Sequence, residues 1–153
     1  MTQCEVDAKL SLISQGFAKL RYEVNKAYHS RRAELTQMRQ SADEAYNQAL
    51  CETQSQLRAV LNERCELKRQ GLDAFNEQMQ ANYNAERNLH GICRAHKQSW
   101  LQQIYSIKRQ FTDLQLEFER RHKELREQQH TEISNTYAEY QSINQSINQS
   151  INQ

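Results

Sequence analysis

Residues 71–91 read GLDAFNEQMQANYNAERNLHG, and the fold depends on whether the chain reverses within them. Four asparagines, Asn76, Asn82, Asn84 and Asn88, fall between Gly71 and Gly91. Asparagine competes for backbone hydrogen bonds and tolerates left-handed conformations, so the cluster suits a turn. On both sides runs an apolar track. The first half passes through Val6, Leu10, Ile13, Phe17, Leu20, Val24 and Tyr28, then Leu35, Met38, Ala42, Tyr46, Ala49, Leu57, Val60 and Leu67. The second half follows Leu72, Phe75, Met79, Tyr83, Leu89, Cys93, Trp100, Ile104, Ile107, Phe111, Leu114, Phe118 and Leu125, and ends at Ile133, Tyr137 and Tyr140. Its mean step is about 3.6 residues, the repeat of the α-helix itself. The stretch Leu10–Val24 looks heptad-like, while later stretches insert extra steps of four, which relax a left-handed supercoil.

The expected class is therefore all-α: long amphipathic, coiled-coil-like helices. The stripe is narrow, which fits pairing through a seam better than a globular core. An antiparallel hairpin with its turn near 76–90 is the favoured arrangement, with one extended rod helix as the alternative. Charge supports the hairpin. Residues 19–42 carry six basic and two acidic side chains, and 43–86 carry four and eight. Residues 87–112 hold five basic and no acidic ones, and those from 113 onward hold four and seven. Folding about Met79 sets residue i against roughly 158 minus i and opposes blocks of unlike sign, whereas parallel in-register pairing opposes like blocks.

Composition agrees. The 153 residues contain no proline and three glycines, against roughly eight and eleven at average usage. With 37% apolar residues and a mean hydropathy of −1.00, the chain has little to bury in a compact enzyme domain. There is no apolar run of about 18 residues to span a membrane. No charged region leads into an apolar core at the N-terminus, so no secretory signal is expected. The net charge of +1 argues against general nucleic-acid binding. Four scattered cysteines, Cys4, Cys51, Cys65 and Cys93, read as reduced thiols in a cytoplasmic protein.

Two domains are expected: an extended helical region, 1–140, and a low-complexity tail, 141–153, in which Ser142-Ile-Asn-Gln145 is repeated through Gln153. Ile143, Ile147 and Ile151 form an i, i+4, i+8 row, but serine, asparagine and the lack of charge pairs favour fraying of a free tail. The spacing of His90, Cys93 and His96 is the nearest approach to a metal motif. Folding about Met79 would add Cys65 opposite Cys93, or allow the two to crosslink. One arm lacks the paired spacing of structural zinc sites, so no metal, cofactor or catalytic residue is assigned. No glycine-rich turn exposes a nucleophile or cradles phosphate, and enzymatic activity is not expected.

The expected function is non-enzymatic assembly: long helices packing laterally on copies or on protein partners to support a larger complex, filament or shell. Its interface anchors would be Phe17, Tyr28, Phe75, Trp100, Phe111, Phe118 and Tyr140, since large aromatics dominate interface energetics. One alternative is a peripheral membrane or surface binder acting through the basic segment 87–112 with Trp100 and Tyr105. The other is a helical stalk or chaperone of a motor or export apparatus, which rests on architecture alone.

Overall fold

The structure is a computed structural model that describes residues 2–152, so Met1 and the tail's last residue, Gln153, lie outside the described residues. It consists of two helices, α1 (Gln3–Arg69) and α2 (Glu77–Asn152), packed against each other as an antiparallel hairpin. The alternative of one continuous helix is excluded by the reversal between them. At the start of α1 the Thr2 hydroxyl accepts a bond from the Glu5 amide at 3.2 Å, satisfying one of the unpaired donors of the first turn.

The turn lies at 70–76 rather than 76–90. Gly71 has φ +81°, a left-handed conformation that glycine adopts without a Cβ clash. Its amide donates to the Lys68 carbonyl at 3.0 Å and that of Leu72 to the Leu67 carbonyl at 3.2 Å. This pair is the Schellman arrangement that closes a helix C-terminus. The Asp73 carboxylate then accepts from the Phe75 amide, and Asn76 caps α2 by accepting from the Gln78 amide, both at 2.9 Å. Asparagine thus serves as cap and not as turn centre, and Asn82, Asn84 and Asn88 lie inside α2.

Moving the turn changes the register. Cross-helix bonds such as Lys9–Glu139, Tyr28–Gln115 and Trp100–Asp43 set residue i against roughly 146 minus i, not 158 minus i. The charge opposition survives in weakened form. Residues 19–33, with five basic and one acidic side chain, face 113–127 with four and five. Residues 43–69, with four and five, face 77–103 with three and two.

The chain divides into two compact units. In the terminal unit, described over 2–33 and 111–152, Val6, Phe17, Leu125 and Thr136 are buried. The shielded positions of its α1 segment, Asn25 aside, are 6, 10, 13, 17, 21, 24 and 28, a 4-3-4 pattern repeating every 11 residues. The heptad expected over Leu10–Val24 fails at Leu20, which is 42% exposed, while Arg21 beside it is half-buried. An 11-residue repeat keeps one face on its partner without left-handed supercoiling. The same pattern recurs in α2 at 118, 122, 125, 129, 133, 136 and 140. In the turn unit, 34–110, the core contains Leu35, Ala42, Leu67, Met79, Leu89, Ile104 and Ile107. Its α2 segment follows the 3-4 heptad from 79 through 82, 86, 89, 93 and 96 to 100.

The tail is helical as far as Asn152. Free, it would have to nucleate; here it only propagates a helix already formed, which requires one bond per added residue.

Candidate partner-binding surface

The helix pair uses most of the aromatics expected to meet partners. Phe17 is buried in the terminal unit. Tyr28 and Phe118 lie with ring centroids 4.3 Å apart, and His122 meets Phe118 edge-on at 4.4 Å. The His122 ring nitrogen reaches the Asn25 side-chain oxygen at 2.9 Å, so the stack ends in a polar contact across the helices. Phe111 and Tyr140 are half-buried at seam positions. In the turn unit Trp100 stacks on Tyr46 at 4.9 Å, and its indole N–H donates to Asp43 Oδ1 at 2.8 Å. Phe75 alone of the seven faces outward, 88% exposed on the turn.

Near the turn the seam contains a polar cluster that sequence spacing does not reveal. Asn82 is buried, and its side-chain N–H donates to the Val60 carbonyl at 2.8 Å while its oxygen accepts from Arg64 Nε at 2.8 Å. Arg64 also pairs with Glu86 and lies 4.3 Å over the Tyr83 ring centroid. Hydrogen bonding from Arg64, against some desolvation, holds the Glu86 carboxyl below its usual value of 4.5. Among the described residues every buried side-chain nitrogen or oxygen has a hydrogen-bond partner. A buried network of this kind is favourable only when fully satisfied, and it then fixes register. The signal available in the sequence was Asn82, next to Tyr83 of the apolar track and 18 residues from Arg64.

The observed register separates Cys65 from Cys93. Residue 93 faces the neighbourhood of residue 53, leaving Cys65 roughly 18 Å away along the helix at 1.5 Å per residue. No Cys65–Cys93 crosslink forms; Cys4, Cys51 and Cys65 are exposed free thiols and Cys93 is a half-buried one. Among the described residues no group of three or more histidine, cysteine or acidic side chains is placed to hold a metal ion.

Each unit carries a groove between its helix segments. In the terminal unit a groove of about 410 Å³ is floored by Leu20, Val24, Ala27, Tyr28, Leu114 and Phe118. Glu23, Arg31, Glu117 and Arg121 rim it. Hydrogen bonding from Arg120 keeps the Glu117 carboxyl below its usual range, so this rim stays charged. In the turn unit a groove of about 620 Å³ is lined by Met38, Ser41, Ala42 and Ala45 on α1 and by Ser99, Ser106 and Ile107 on α2, with Gln37, Gln102, Gln103 and Gln110 completing it. Both are of a size that takes side chains of a packed neighbour. Their chemistry differs: mixed charge around an apolar floor in one, no charge at all in the other.

No protein-family model, curated protein or solved structure matches the chain. Its function is therefore argued from these surfaces.

Proposed function

We propose that the protein is a non-enzymatic assembly element, a helical hairpin that packs laterally on copies of itself within a larger complex, filament or shell. The grooves carry this reading. Leu20 and Met38 remain 42% and 43% exposed at their edges, although the chain is short of apolar residues and folds so as to bury them. Leu12, Tyr22, Tyr105 and Leu116 are more exposed still, at 59–68%, and Phe75 stands clear of the turn. A helix pair buries one stripe per helix; large apolar groups flanking that stripe are what a further helix covers. The surface-binding alternative draws less support, because Trp100, the largest aromatic of the basic segment 87–112, is stacked on Tyr46 and bonded to Asp43.

Sedimentation velocity over a hundredfold range of concentration tests the proposal. The sedimentation coefficient should rise with concentration, and a Leu20→Glu/Met38→Glu double variant should stay monomeric with unchanged helicity. An unchanged coefficient for the parent chain, or equal association by the variant, would refute lateral packing through the grooves.

A further inference from the structure

We infer that the occupant of the turn unit's groove is the C-terminal tail of a second copy. The inference rests on the assembly reading above and names its contact. Two features match. The groove has no charged residue in its lining, in a chain where 25% of residues are charged. Its glutamines bond to serines along their own helices, Gln37 to Ser41 at 3.5 Å, Gln103 to Ser99 at 3.4 Å and Gln110 to Ser106 at 3.3 Å. Ser41, Ala42, Ala45, Ser99 and Ser106 project little, which leaves room between the helix segments for another row of side chains.

The tail is the longest uncharged run of the chain, from Tyr140 onward. Its isoleucines lose their cover in order. Ile143 is half-buried near the start of α1, Ile147 is 48% exposed and Ile151 is 74% exposed. Residue 143 faces the first turn of α1, and the two isoleucines beyond it are the exposed ones. The result is a helical segment with one apolar row that becomes steadily more exposed, flanked by serine, asparagine and glutamine.

Seating that row over the small residues of the groove removes apolar surface from water at no cost of buried charge. A charged partner helix would lose hydration there without gaining an ionic partner, which selects a neutral one. Glutamine and serine on both sides can exchange hydrogen bonds with water for hydrogen bonds with each other. The contact is heterologous: each copy offers one tail and one groove, so successive copies add head to tail into rings or open chains. Twelve helical residues in a groove make a small interface, at the weak end below about 1,200 Å² in total. The assembly should therefore be reversible and concentration-dependent.

Complementation tests the contact on the full chain. Ala45→Arg places a guanidinium in the groove, and Ile147→Asp/Ile151→Asp places charge on the tail; all three positions are exposed, so folding is untouched. In sedimentation velocity the parent should form species larger than dimers, and each variant alone should remain monomeric. An equimolar mixture should give dimers and nothing larger, because the Ala45→Arg copy still supplies a tail and the tail variant still supplies a groove. A mixture that stays monomeric, or variants that assemble like the parent, would overturn the tail contact. In the second case packing of copies stands and only its proposed site falls, whereas a parent that is monomeric throughout defeats both readings.

Discussion

The two units of the hairpin solve the same pairing problem with different chemistry. The turn unit follows a heptad along α2 and is pinned by a satisfied polar cluster of Arg64, Asn82 and Glu86 close to a tight, capped reversal. The terminal unit follows an 11-residue repeat on both segments, and its cross-helix contacts include an aromatic stack, the Asn25–His122, Tyr28–Gln115 and Arg21–Gln129 bonds and the exposed Lys9–Glu139 pair. The first defines where the helices meet, and the second lets them run on. The lesson is that register is decided locally, by glycine and a few buried polar groups, while the rest of the seam only has to be compatible with it.

Breaking the turn unit's core should have the largest effect. Leu35 is fully buried, and Leu35→Ala should cost about 3 kcal/mol in urea melts through lost transfer energy and an unfilled cavity. Asn82→Leu should come next, at about 2 kcal/mol. It removes a buried acceptor from Arg64 and a donor from the Val60 carbonyl without changing side-chain volume much. Disulfide trapping between cysteines introduced at Arg58 and Asn88 in a background free of native cysteines should drop in that variant, since register is then less specified. If Asn82→Leu melts like the parent, the polar cluster does not set the register.

In the terminal unit a double-mutant cycle between Tyr28 and Phe118 should give a coupling of about 1 kcal/mol, the usual worth of an aromatic pair. The Glu86 carboxyl offers a pH handle with a definite sign. Its pKa is lowered in the folded state, so its contribution is complete above the ordinary value of 4.5 and is lost as pH falls through the lowered value. Acid melts below pH 4.5 should therefore show a slope that Glu86→Gln reduces. Smallest of all, Lys9→Ala should change stability by no more than about 0.5 kcal/mol, because both partners of the Lys9–Glu139 pair are 48% exposed.

Helix content and fold-back were legible in the sequence, the first from the 3.6-residue track and the missing prolines, the second from alternating charge blocks. The position of the turn was not. Four asparagines point to a later turn, yet it is Gly71 that takes the left-handed conformation ending α1, at no Cβ cost, and the asparagines go to a cap and to the helix interior. That displacement of several residues moved Cys65 away from Cys93; separately, the 11-residue repeat put Arg21 in place of Leu20 on the seam. The aromatics expected as partner anchors are visible on the apolar track, but in the structure most of them contact the other helix of the same chain, and only Phe75 stands exposed. The grooves could not be read at all, because they are lined by residues flanking the stripe on both helices, and only the register brings those flanks together.

The proposed contact joins the uncharged groove of one copy to the exposed isoleucine row of another copy's tail. Amide hydrogen exchange at low and high protein concentration measures it directly. The account requires protection to rise with concentration at residues 141–152 and at the segments 37–45 and 99–110, with little change around Asn82. Exchange that is independent of concentration across all these segments would contradict it.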